Sequence, residues 1–182
     1  SQISILKRFA PTGFSCEAGT EQKTFSISKN IGTNKVEIQL APLICFEDVF
    51  PYQARDAALN GASALICLAN DAWFDGTCES EQHLAQAILR AAETRLPVLR
   101  STNRGVTALI LPNGRVIQRL GNGRGSGTPG FLIAEAAIDT TPKKTFYTRY
   151  GDTFLSIPAA GLLIGAALAI ALVRRLKRKA MR

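Results

Sequence analysis

The side chains best suited to covalent chemistry stand together in Ala41–Pro51, APLICFEDVFP, where an apolar run ends in Cys45 and two carboxylates, Glu47 and Asp48, follow at once. Two readings of that cysteine are open. Free cysteine is among the most buried residue types and behaves as a small apolar group, so Cys45 could simply finish a buried strand. It could instead be a nucleophile, whose thiolate is favoured by a helix N-terminus, a cation or a nearby base. A helix starting near Pro51 would offer its positive dipole end. Glu47, an anion, would disfavour a neighbouring thiolate; it suits the orienting of a base or the holding of a loop. No lysine lies within twenty residues after Cys45, and the nearest before it is Lys35.

The other cysteines, Cys16, Cys67 and Cys78, show no C-x-x-C or Cys/His ligand spacing, so no metal site is expected. Cys67, inside LICLAN, reads as core. The sole histidine is His83. Near a helix start it reads as a surface or capping residue rather than a base.

These residues need a scaffold. VEIQL (36–40) alternates as a half-buried strand does, and the apolar run to Cys45 continues it. Asp48 can cap the next helix, Pro51 suits its first turn, and Gly61 ends it. SALICLAN (63–70) is unbroken enough for a strand covered on both faces. A second helix begins near Glu79, with Leu84, Ala87, Ile88, Ala91 and Leu96 at helical spacing, and Pro97 stops it. VLRST and VTALIL follow as strands. PNG (112–114) is a tight hairpin turn, RVIQRL pairs back, and FLIAEAAI (131–138) is one more strand. The glycine-rich 121–130 is a connection, since it lacks the strand-to-helix setting of a phosphate loop. Residues 1–35 read as loops with short strands. The alternation of strand and helix predicts an α/β fold with a hairpin at one side. Functional groups in such sheets collect where strands end, which singles out Cys45-Phe46-Glu47, Asn70 to Phe74, Arg100 to Asn103 and, just before the apolar stretch near the C-terminus, Tyr147 to Asp152. Trp73 and Phe74 line a site or fill a core; Arg100 and Asn103 order loops or touch substrate.

Phe154–Val173 contains 20 residues without a charge, long enough to span a bilayer. The last nine residues, RRLKRKAMR, hold six of the net eight positive charges, leaving +2 for residues 1–173. A pI of 9.7 would suit a nucleic-acid binder. Here the excess directly follows the span, so it marks the cytoplasmic side and no nucleic-acid partner is expected. The chain begins with Ser and not Met, as an excerpt or a processed form would.

The order of CFE after a strand, NDAWF after the next, RSTNRG, and FYTRYGD before one apolar helix and a basic tail resembles the nitrilase-type domain of the apolipoprotein N-acyltransferases. The resemblance runs over roughly residues 37–182. It implies part of a four-layer αββα sandwich (residues 1–150), a transmembrane helix (151–173) and a basic cytoplasmic tail (174–182). It implies transfer of an acyl chain from a phospholipid to the N-terminal diacylglyceryl-cysteine of apolipoproteins, through a thioester and without a cofactor, on the outer side of a bacterial inner membrane. Cys45 matches the nucleophile of a Glu-Lys-Cys triad and Glu47 the further glutamate the family needs. Phe46, Asn70, Trp73, Phe74 and Asn103 fall in the substrate-binding stretches. Phe46 stands where the family often has Tyr, so a hydroxyl is missing. The triad Glu and Lys sit upstream of the cysteine in the family; Lys7, Glu17, Glu21, Lys23, Lys29 and Lys35 lack the surrounding pattern, and both members are expected before Ser1. Two other readings stay open: a membrane-tethered amidase of the same superfamily, and a non-catalytic membrane-anchored domain.

Overall fold

A computed structural model describes residues 19, 21–121 and 129–180; Lys7, Cys16, Glu17 and most of the glycine-rich connection lie outside them. Six strands form one mixed sheet in sequence order: β1 (Phe25–Ile31), β2 (Asn34–Ile44), β3 (Ala64–Asn70), β4 (Val98–Asn103), β5 (Thr107–Ile110) and β6 (Val116–Leu120). β2, β3 and β4 are parallel, joined through α1 (Pro51–Leu59) and α2 (Glu79–Thr94). A parallel pair requires such a crossover. Antiparallel hairpins flank this centre on both sides, β1–β2 as well as β5–β6, rather than on one. The PNG turn closes the second, with Gly114 at φ +84° where an L side chain would be strained.

Register and period two decide what each face carries. Ala41, Leu65, Val98 and Ile110 align across the sheet, as do Leu43, Cys67, Arg100 and Ala108. All eight are buried, against Ala54, Ala57, Leu84, Ala87 and Ala91 of the two helices. The small helix residues let α1 and α2 lie close to the strands. On the opposite face Ile44 and Leu68 are half-exposed, so the strand expected to be covered on both faces is fully covered on one. The described layers are thus one of helices and one of sheet.

Pro42 is tolerated inside β2 because pairing with β1 ends at Leu40, so no rung there needs its missing N–H. FLIAEAAI, expected as a strand, is not one. Its residues alternate between exposed and half-buried, as an extended chain does, but they join no ladder. Its start crosses the open sheet face, where Phe131, Leu132 and Ala134 border a cavity of about 380 Å³ with Ile66, Leu99 and Leu109.

A short helix α3 (Phe146–Tyr150) precedes the long α4 (Ser156–Ala180). The stretch Phe146–Lys177 contains one helix long and apolar enough to cross a membrane, and none of its apolar window is buried in the protein. Its base is tied to the domain. Arg55 of α1 donates to the Tyr147 and Arg149 carbonyls at 3.3 and 3.2 Å, and the Thr145 hydroxyl donates to the Glu93 carbonyl at 2.6 Å. These bonds hold α3 and the residue before it against α1 and the end of α2.

Candidate active site

At the end of β2 the chain turns sharply through Cys45–Val49, a five-residue 3-10 turn. Cys45 opens it at φ +53°, a left-handed conformation that a non-glycine residue holds only when its surroundings over-determine it. Three sets of bonds do so. The Glu47 carboxylate accepts the Ile44 N–H at 2.7 Å. Arg90 donates to the carbonyls of Asp48 and Val49 at 3.2 and 3.0 Å. The Asp48 carboxylate is anchored in the core below.

Cys45 is half-buried and faces a cavity of about 580 Å³ at the C-terminal ends of β2, β3 and β4. Asn70, Ser101, Thr102 and Asn103 line it as well. The Asn70 Oδ1 accepts the Ala72 N–H at 3.2 Å, capping the turn Asp71–Phe74, and accepts a second bond from the Asn103 amide at 3.2 Å. Of the residues singled out from the sequence, Cys45, Asn70 and Asn103 therefore meet in one pocket, with Glu47 holding its rim. Phe46 and Phe74 border a different, mainly apolar cavity of about 250 Å³ with Val49, Glu79, Gln82, His83 and Gln86. Trp73 is 78% exposed and fills no core. Glu21 and Lys23 pair with each other at the surface. Lys35 lies nine residues before Ile44 on the same strand, some ~30 Å away at the usual rise.

Two expectations fail beneath the turn. Asp48 does not cap α1, whose N-terminal Phe50 has no side-chain cap; it is fully buried. His83 is neither a surface nor a capping residue; it is 3% exposed. The His83 Nε2 meets Asp48 at 2.8 Å and its Nδ1 meets Asp71 at 2.9 Å. Arg100 donates to the same two carboxylates at 2.8 and 3.0 Å, to the Val106 carbonyl at 3.2 Å, and to the Cys67 sulfur at 3.3 Å. The result is two buried anions held by two cations.

Both ring nitrogens of His83 face carboxylates, so both must donate and the ring is an imidazolium. Burial alone would lower its pKa, but the bonds to Asp48 and Asp71 outweigh burial and raise it to about 9. For Asp71, burial likewise pushes upward, and His83 and Arg100 prevail and hold it low. The Cys67 thiol is pushed far up by burial and by Asp48, which leaves it inert. The ligand atoms of Asp71, Glu79 and His83 lie within 4.8 Å of one another, but an imidazolium has no lone pair to give a metal.

Two predictions arise here. The raised His83 pKa contributes stability that is complete below about pH 6.5 and is lost as pH rises to about 9. Urea unfolding at constant salt is expected to show a decline of roughly 3 kcal/mol across that window, and none in a His83→Gln variant. Gly105 packs so closely on Asp71 that an added Cβ would overlap its carboxylate. Gly105→Ala is expected to cost about 1–3 kcal/mol, as overpacking does, read as a lower thermal midpoint.

The fold and the site define a class. Residues 13–141 match the carbon–nitrogen hydrolase family, and the chain belongs to it. Its mixed sheet and helices are nitrilase-like. The chain is similar to apolipoprotein N-acyltransferases. It is 41% identical over 115 residues to apolipoprotein N-acyltransferase 1 of Treponema denticola, covering 61% of this chain and 20% of that protein. It is 42% identical over 134 residues to the apolipoprotein N-acyltransferase of Allorhizobium ampelinum, covering 73% and 25%. A solved amidase from Nesterenkonia sp. aligns with a TM-score of 0.42 at 19% identity, covering 57% of this chain and 38% of that one. The chain spans a fifth to a quarter of the length of the curated relatives it matches.

Proposed function

We propose that this chain carries the nucleophile of an apolipoprotein N-acyltransferase, and that Cys45 is that nucleophile. The observation that supports it is the strained, half-buried thiol at a strand's end, opening on a pocket lined by Asn70 and Asn103. The Cys45 thiolate attacks the ester carbonyl of a phospholipid. The C–O bond breaks, the lysophospholipid alkoxide takes a proton, and an acyl thioester remains. The amine of a diacylglyceryl-cysteine then attacks the thioester and loses a proton as the thiol returns. Two half-reactions around one covalent intermediate give ping-pong kinetics. The oxyanion formed in each needs donors close by. In the family the triad glutamate moves the proton and the lysine supplies positive charge, and we assign neither role to a residue of this chain. Glu47 is a supporting carboxylate that shapes the turn through the Ile44 N–H.

Phospholipid and lipoprotein are both membrane-bound substrates, so the active site has to stand at a bilayer surface. α4 holds it there, with residues 1–150 on the outer side of the inner membrane and the basic tail in the cytoplasm. A reporter fused after Arg182 is expected to be active only in the cytoplasm; activity only outside it reverses the orientation. The acylation step is tested by incubating the full-length protein with phospholipid vesicles and mapping the adduct by mass spectrometry. A hydroxylamine-labile acyl group on the Cys45 peptide is the expected result. An adduct on another peptide, or one that persists in Cys45→Ala, refutes the assignment.

A further inference from the structure

The Cys45 turn carries its thiol in a left-handed conformation, so the direction of the sulfur depends on whatever fixes the turn's backbone. The deepest anchor of the turn is the Asp48 carboxylate, and Asn70, which lines the same cavity as Cys45 and bonds Asn103, caps the turn that Asp71 opens. Two side chains bond both carboxylates: Arg100 from β4, and His83 on α2 by its two ring nitrogens. His83 also lies against the Phe46 ring, with centroids 5.7 Å apart. We propose that His83 is a positioning residue: it clamps the Cys45–Val49 turn to the Asp71–Phe74 turn and thereby sets the geometry between the thiol and the Asn70–Asn103 wall. This rests on the reading of Cys45 as nucleophile.

The charged groups around the ring leave little freedom. Asp48 faces it from the β2 end, Asp71 from the β3 end, and Arg100 from β4 holds the other oxygen of each. Glu79, one turn earlier on the same helix, stands 3.8 Å from Nδ1. Cys67 bonds Asp48 at 3.1 Å. With His83 protonated, the two carboxylates meet two cations. A neutral imidazole can donate from only one nitrogen. It would keep one carboxylate and release the other, so deprotonation removes one of the two side chains that tie the turns together and leaves Arg100 to bridge Asp48 and Asp71 alone.

The test uses the full-length protein in detergent micelles. His83→Gln, which can reach one carboxylate but not both, is expected to lower kcat for acyl transfer about 10–100-fold, the scale of a misplaced reacting group. KM for phospholipid should stay within about threefold, because His83 does not line the Cys45 cavity. Iodoacetamide, which needs no aligned wall, should still alkylate Cys45 within about threefold of the wild-type rate. Wild-type kcat should fall as pH passes about 9 while the near-UV circular dichroism remains native, and His83→Gln should lack that step. A lower thermal midpoint with kcat unchanged per folded molecule would show a purely structural role and overturn the proposal. If His83→Gln does not fold, the wild-type profile decides: a kcat that stays level to pH 10 in folded protein overturns it. Failure of the nucleophile reading is seen separately, as activity that survives Cys45→Ala.

Discussion

Cys45→Ala is expected to lower acyl transfer by about 10⁴–10⁶-fold, the range seen when a covalent nucleophile is removed, and to leave the thermal midpoint within a few degrees. The two halves of that expectation have separate causes. On the proposed reading the reaction has no route to a thioester without sulfur, and a direct attack of the amine on a phospholipid ester would need both membrane-bound substrates and the proton transfers aligned at once. The fold, by contrast, does not depend on the thiol. Cys45 is half-buried, accepts no hydrogen bond that holds the turn, and sits at φ +53°, which alanine must adopt at the same cost. The anchors are Glu47, Arg90 and the Asp48 cluster, all of which remain. The same substitution therefore separates chemistry from structure. Circular dichroism and a steady-state transfer assay on one preparation check it. A variant retaining more than a hundredth of the wild-type rate would place the nucleophile elsewhere.

Much of this scaffold was legible because its signals are local. The strand ending at Cys45, the crossover helices bounded by Pro51 and Gly61 and by Glu79 and Pro97, and the PNG hairpin each follow from period and punctuation. FLIAEAAI was misread for the opposite reason. Its alternation correctly gives an extended chain, but a strand is defined by a partner, and nothing in eight residues states whether one exists. The buried cluster was missed because its members are far apart in sequence: Asp48, Asp71, His83 and Arg100 span 52 residues between the first and last. One signal was present. In VLRST, Arg100 shares the inward parity of Val98, and an arginine on the buried side of a strand must bring anions with it. The acids in the turns that follow the parallel strands β2 and β3, Asp48 and Asp71, are the natural candidates. Two buried carboxylates beside one arginine call for a second cation, which places His83 in the interior.

That balance makes Arg100→Leu the substitution with the largest expected effect on stability. Its guanidinium is buried and makes four bonds, two of them to carboxylates that have no access to water. Leucine fills part of the volume but leaves Asp48 and Asp71 sharing the single charge of His83. Removing one partner from a buried ionic group costs about 3–5 kcal/mol, because the survivors stay desolvated and unpaired. Domains hold only about 5–15 kcal/mol in total, so the variant should unfold at markedly lower urea. The pH dependence gives the sign. In the wild type Asp71 is held below its ordinary range, so it contributes stability above the unfolded carboxylate value and loses it as pH falls through the folded one. Without Arg100 that depression shrinks, and the variant gives up less on acidification. The stability difference between Arg100→Leu and wild type should therefore be widest near pH 7 and narrow toward pH 3, below the unfolded carboxylate value of 3.8. Adding Asp48→Asn, which removes one of the two anions that share the His83 charge, should recover part of the loss at pH 7. Chemical denaturation of the three proteins at both pH values checks this. A difference that does not change with pH would mean that lost packing, and not the unpaired carboxylates, sets the cost.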